Sequence, residues 1–289
     1  MSSEGQGRSP LTLLALLFSV VLYGMLVVRF AWLCDDAFIS FRYAENWAQG
    51  NGLCFNVWER PPVEGYSNFL WVAMGAFVEV LGGEQTRVMP WLSAAAGLAV
   101  LVTLAWALRR GLGLSDGASA LSLVTLAGSV PFATWATGGL ETMAFTACFF
   151  LVFILMTLWP RGVPVLAAGV MGLALALLRV EGTFWAVGLG LLGWLVRRSR
   201  GERAGTEVVG ALFIIAAGAW AWWIARYLYY GDPWPNTVHV KVGFSAATLA
   251  TGGRYLATFA LTWLTPGLLL LAVPLGLAGR HRRTTLAAL

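Results

Sequence analysis

Two adjacent carboxylates, Asp35 and Asp36, stand just beyond the first long apolar segment, in the run CDDAFISFRY from Cys34 to Tyr43. A carboxylate so placed can take a proton from a substrate hydroxyl as general base, while a neighbouring acid orients it or holds a cation. Charged groups are costly near hydrocarbon, so an acid pair at a membrane surface marks a site by default. Asp36 also has a structural reading as the N-cap of the following helix, which leaves the acid beside it unexplained.

Other groups with chemical potential follow at intervals. The stretch ERPPVEGYSNFLW (59–71) is polar and broken by prolines. Within it Glu64, Tyr66, Ser67 and Asn68 offer an acid, hydroxyls, an amide and an aromatic face, the set that holds a sugar through its hydroxyls and its C–H face. Its alternative is a capped entry into the next helix, with Ser67 or Asn68 as the cap. Glu141 closes the run TGGLE (137–141). It is either the N-cap of the next span or an acid beside a glycine pair that lets a substrate approach the backbone. Arg179 and Glu181 flank the end of another apolar run, as a local pair, a snorkelling arginine or a phosphate contact. His239 and Lys241 follow a Pro-Trp-Pro turn, with Arg226 and Arg254 in the same region. With two His in the chain there is no zinc constellation. A Walker loop, a dinucleotide glycine fingerprint and a GxSxG elbow are all missing, which disfavours cytosolic nucleotide chemistry.

The elements that must position these groups are membrane helices. The 289 residues are 58% hydrophobic and 11% charged, against about 25% charged in a soluble domain. Apolar runs lie at 11–33, 67–82, 88–108, 118–134, 141–159, 163–180, 183–196, 207–229 and 255–278. Most are near the roughly 20 residues that cross a bilayer. The first reads as a retained anchor rather than a cleaved signal. Basic residues cluster between runs, so the net charge of +5 reports topology and not nucleic acid. If all nine runs crossed, Arg109, Arg110 and the cluster from Arg197 to Arg203 would face outward, against the positive-inside tendency. The segment 67–82 is short, contains Glu79 and ends in Gly82-Gly83-Glu84; placing it in the outer interface moves both clusters inside. Asp35 opens a second amphipathic interfacial helix, with Phe38, Ile39, Phe41, Tyr43 and Trp47 apolar and Arg42, Glu45, Asn46 and Gln49 polar.

The expected fold is therefore all-α: a polytopic transmembrane bundle of about eight spans forming one domain over 1–289, with interfacial helices in the first outer loop, 34–87. Both termini fall on the cytoplasmic side. The inner face then holds Glu4, Asp116, Glu202 and Glu207, and the other ten of the 14 acids lie outside. Cys34, Cys54 and Cys148 give no disulfide framework, and unpaired thiols are expected.

Four segments occur in order: DDAFISFRYA (35–44), EGYSNFLW (64–71), GGLET (138–142) and YYGDPWPNTVHVK (229–241). Together they resemble the GT-C superfamily of integral-membrane glycosyltransferases, and most of all the bacterial branch that contains the mycobacterial terminal arabinofuranosyltransferase. The resemblance covers residues 10 to 250. It implies a polyprenyl-phosphate sugar donor, a glycan or glycolipid acceptor of the cell envelope, and inversion at the anomeric carbon. It implies catalysis by Asp35 and Asp36 on the outer face of a bacterial plasma membrane. Arg42, Glu64, Tyr66, Asn68, Glu141, Arg179, Glu181, His239 and Lys241 are the candidate substrate-binding residues. Phe38 stands where the family usually has Tyr, and Val180 where it has Pro. Relatives are longer, so a C-terminal extension is expected to be missing here.

A divalent cation is left open as a partner of the acid pair, and membrane lipids are the remaining expected partners. Two other classes compete with an enzyme. A transporter or flippase needs acids in mid-span or paired broken helices, and the acids here gather at span ends. A binding or scaffold member would take lipid-linked glycan without chemistry.

Overall fold

The computed structural model describes residues 10–160, 162–203, 205–237 and 245–264. His239 and Lys241 lie outside the described residues. Among those residues the regular structure is helical, with no strand beyond an isolated bridge between Pro160 and Gly162. The helices are α1 (Pro10–Arg29), α2 (Asp35–Ala48), α3 (Phe69–Val80), α4 (Gln85–Trp106), α5 (Asp116–Ala127), α6 (Val130–Thr134), α7 (Thr142–Phe153), α8 (Val165–Leu178), α9 (Gly182–Ser199), α10 (Gly205–Tyr230) and α11 (Ala246–Phe259). Single π-helical turns extend α4, α7 and α11.

Among the described residues, three helices are long and apolar enough to cross a membrane: α1, α4 with its π turn to Gly111, and α10. In α1 the residues Leu14, Phe18, Val21, Met25 and Val28 are all exposed. Their alternating spacing of four and three lays them along one face of the helix. A face like that is unfavourable in water and at home against lipid. The protein is membrane-embedded. Inside, Tyr23, Leu101, Ala127, Ala133 and Met143 join α1, α4, α5, α6 and α7, while Met156, Ala168, Leu189 and Ala211 join the π turn after α7 to α8, α9 and α10.

Polar contacts sort the helix ends into two groups. At one end, Thr12 donates to Asp116 (3.0 Å) and Arg109 pairs with the same carboxylate (2.9 Å), tying the starts of α1 and α5 to the end of α4. Trp106 stacks on Trp159 with ring centroids 5.7 Å apart, which brings in the end of α7. Arg197 of α9 is fully buried there. It donates to the carbonyls of Met156 (2.7 Å) and Trp159 (2.9 Å) and pairs with Glu202 (2.6 Å). Glu207, in the first turn of α10, accepts from the Val163 amide at 2.6 Å. The basic clusters at 109–110 and 197–203 thus share an end, opposite the one that carries Asp35.

α3 explains how. Its 12 residues rise only about 18 Å, too little for a bilayer. It packs along α2, and both of its ends stay on the Asp35 side. Asn68 before it bonds Ser40 of α2, while Glu79 near its end accepts from Gln85, whose amide also reaches the Phe41 carbonyl. The chain then enters α4 from the side it never left.

α2 packs differently from its apolar pattern. The buried face is Ala37, Ser40, Phe41 and Ala44, with Tyr43 and Asn46, while Phe38, Ile39 and Trp47 point outward. Small residues let α3 and the 137–141 loop approach closely, which leaves the large side chains on the outer surface. Asn46, expected on the polar side, is buried because its amide satisfies the Cys54 and Phe55 carbonyls (2.8 and 3.0 Å). What approaches Gly139 is α2 itself. With φ +78, an added Cβ would lie 2.5 Å from Leu33 and 2.9 Å from Ala37. The helix α11 buries none of its side chains.

This arrangement puts Ser67 and Arg110 at opposite ends, and both are exposed. Single cysteines at these positions, in a chain freed of its three native cysteines, should label from opposite sides of sealed vesicles with an impermeant thiol reagent. Labelling from the same side would mean that the 67–82 segment crosses.

Candidate functional site

Four of the sequence-predicted residues meet in one polar line across the Asp35 end. Glu141 occupies the N-cap position of α7, yet its side chain makes no cap bond. Its carboxylate instead accepts from the Asn68 amide (2.7 Å) and pairs with Arg179 (3.3 Å). Asn68 also accepts from Ser40 (3.2 Å), and Arg179 reaches on to Glu181 (2.8 Å). The line therefore runs from α2 through the start of α3 and α7 to the junction of α8 and α9. The tryptophans fasten the same loop: Trp71 donates to the Gly139 carbonyl (2.9 Å) and Trp32 to that of Thr134 (2.8 Å). Arg179 thus lies between two carboxylates, so its charge is already answered within the protein.

Glu64 and Tyr66 form a second group. Glu64 is buried and receives a two-pronged contact from the Arg226 guanidinium of α10, across 162 positions of sequence. Burial pushes the Glu64 carboxyl up from the usual carboxylate range, and Arg226 pulls it back. Its backbone carbonyl holds the Asn236 amide at 3.0 Å. Tyr66 is buried with its hydroxyl against that of Tyr230 (3.2 Å). Tyr43 donates to the Val63 carbonyl (2.6 Å) and accepts from the Gly65 amide (2.8 Å), with burial pushing its hydroxyl up to about 12. The polar 59–68 stretch is thus pinned to α2 and α10 through backbone and side chain alike.

Asp35 and Asp36 are both exposed in the first turn of α2, where the helix N-terminus favours negative charge. The N-cap position belongs to Cys34, not Asp36. Asp35 spends one oxygen locally, accepting from the Asp36 amide (3.0 Å) and the Cys34 thiol (3.4 Å). The other acids at this end are engaged. Glu45 pairs with Arg42 (3.0 Å), Glu84 with Arg87 (2.7 Å) and Glu181 with Arg179; Glu59 and Glu79 accept from Asn56 and Gln85, and Asp232 accepts from the Trp234 amide. Among the described residues, the Asp36 carboxylate is the one at this end that carries no hydrogen bond or ion pair.

Arg42, expected to touch substrate, is held by Glu45 and the Phe55 carbonyl. Arg29 at the end of α1 and Arg60 in the loop are two of the exposed cations without a carboxylate partner among the described residues. No cluster of three His, Cys, Asp or Glu fit to hold a metal occurs among the described residues. A divalent cation at Asp35 and Asp36 would take its remaining ligands from substrate and water, as a magnesium ion commonly does.

Sequence reasoning missed Ser40, whose place in the polar line was foreshadowed only by its position one turn after Asp36. It also missed that Arg226 is the partner of Glu64, for which no local signal exists. No protein-family model, curated protein or solved structure matches the chain.

Breaking a buried ion pair strands one charge, at a cost of about 3–5 kcal/mol. Glu64→Leu and Arg226→Met should each destabilise the protein by that order in denaturant titrations in bicelles. The double substitution should cost less than either single change. Additive losses would show that the pair is not coupled.

Proposed function

We propose that the protein is an integral-membrane glycosyltransferase of GT-C type. It would move a sugar, arabinofuranose by resemblance, from a polyprenyl-phosphate donor to a glycan or glycolipid acceptor on the outer face of a bacterial plasma membrane. The observation that carries the proposal is the unengaged carboxylate of Asp36, set in a helix start beside Asp35 at the end where the sequence motifs converge. Acids recruited for stability are paired here; this one is left open to solvent and ligand. The alternation of helix ends from α1 to α10 supports a spanning bundle with the basic end cytoplasmic, and the sequence pattern adds the last of about eight spans, which puts both termini inside.

In the proposed reaction, Asp36 takes the proton of an acceptor hydroxyl. The hydroxyl oxygen forms a bond to the anomeric carbon, the carbon–oxygen bond to the lipid phosphate breaks from the opposite face, and configuration inverts. The leaving phosphate keeps the electron pair of that bond and gains negative charge, which nearby cations offset. Arg179 is a poor candidate for that duty, because Glu141 and Glu181 already flank it. Arg29 and Arg60, free of carboxylates among the described residues, fit it better. Asp35 acts by orienting the start of α2 and the amide of Asp36.

Asp36→Asn keeps shape and removes charge. It should insert and fold normally, and lose sugar transfer by roughly 10²–10⁴-fold, the usual effect of removing a general base. Asp35→Asn should show a smaller loss. Both are read by transfer of radiolabelled sugar in membranes from a panel of polyprenyl-phosphate donors. Normal turnover in Asp36→Asn would refute the catalytic assignment.

A further inference from the structure

Behind the polar line a cavity of about 120 Å³ opens between the loop 64–69, the α8–α9 junction and α10. Its walls combine two kinds of surface. Phe69, Trp222, Trp223 and Trp234 supply aromatic surface. Phe69 and Trp222 stack on each other with ring centroids 3.6 Å apart, and Trp223 is stacked between Trp220 and Tyr227, so Trp234 presents the open ring. Glu64 and Arg226 supply the polar part, joined in the lining by Ser67 and Thr183. The turn at 233–235 closes one side and is tied down by Pro233, whose carbonyl accepts from Arg226 (2.6 Å) and Trp223 (3.2 Å).

The electrostatics of this cavity are specific. Arg226 is neutralised by the two-pronged contact with Glu64, so the cavity has no net charge to offer an anion. A phosphate would meet the Glu64 carboxylate at close range. Hydrogen-bonding capacity nevertheless remains. A guanidinium carries five N–H donors, and Glu64 and Pro233 leave two of them unused. The carboxylate oxygens keep lone pairs for a hydroxyl donor. A neutral polyol that can both donate and accept, with an apolar C–H face to lie on indole, matches every wall.

We infer that this cavity is a carbohydrate subsite, in which a neutral sugar ring stacks on Trp234 and hydrogen-bonds the Glu64–Arg226 pair. It deepens the glycosyltransferase reading and rests on it for the choice of sugar source, though not for the binding itself. The place suits the reaction: Ser67 and Phe69 flank Asn68, which bonds Ser40, and Ser40 lies one helical turn, about 5.4 Å along the axis, from Asp36. The ring belongs to either the acceptor or the donor, and both present the same neutral hydroxylated face.

The test uses the full chain in nanodiscs and saturation-transfer difference NMR. Methyl β-D-arabinofuranoside and methyl α-D-glucopyranoside serve as neutral probes, and geranyl phosphate as the anionic comparator. At least one glycoside should show ring C–H signals. Trp234→Ala should weaken binding about tenfold, the scale of a lost aromatic contact, and Trp234→Phe should keep it. Trp234 is exposed, so its removal leaves the fold intact. Geranyl phosphate should fail to displace the glycoside. The inference is overturned if the wild type binds neither glycoside, if Trp234→Ala binds as well as wild type, or if geranyl phosphate competes. Asp36→Asn should retain the signal. Glycoside binding without any transfer in the wild type would remove the transferase reading and leave the subsite standing. In an active preparation, Trp234→Ala should raise the KM for acceptor or for lipid donor, which identifies the source. Unchanged values for both would overturn the subsite.

Discussion

The constraint on which the rest of this structure depends is the cost of placing charge in hydrocarbon. Among the described residues of α1 to α10 it drives the charged side chains toward one of two ends of the bundle, and the residues that remain between them are apolar enough for lipid. Once the ends are fixed, the chain has little freedom. Arg109 and Arg197 must find Asp116, Glu202 and free carbonyls on one side, and the first loop must settle its acids on the other. The short helix α3 follows from the same constraint, because it carries Glu79 and is too short to cross. It lies against α2 and returns the chain to its starting side.

At the opposite end the protein assembles a polar layer from pieces distant in sequence. Glu64 with Arg226, and Asn68 with Glu141 and Arg179, clamp the first loop onto α7, α8 and α10. Buried polar groups are costly unless satisfied, and these satisfy one another. The layer therefore holds α2 in a single position, and with it the acid pair at its start. A carboxylate can be left free at Asp36 because its neighbours are not asked to rely on it.

Function and stability divide these residues along a line that residue type does not reveal. Glu141, Arg179, Glu64, Tyr66 and Asn68 have the chemistry of substrate contacts, and most of their hydrogen-bonding capacity is spent inside the protein. What they offer a ligand is the remainder: a neutral, hydrogen-bonding surface beside aromatic walls rather than a cluster of positive charge. Under the proposed function, that distinction separates where a sugar ring would rest from where a lipid phosphate would.

The sequence by itself determined the class of the molecule: apolar runs and basic clusters were enough to specify a helical membrane protein and to set 67–82 aside from the spans, where the structure has a helix of 12 residues. It also singled out Asp35 and Asp36, because an acid pair at the end of an apolar run is conspicuous in one dimension. Hydrophobic period and charge are local properties, and local properties are legible. Only the tertiary structure decided that Cys34 and not Asp36 takes the cap position, that Asn46 is buried, and that Glu141 looks sideways to Asn68 instead of capping α7. It alone joined Glu64 to Arg226, 162 positions away, because the choice of partner for a buried charge depends on which helices become neighbours. Pairing of that kind is set by packing geometry, and no spacing along the chain encodes it.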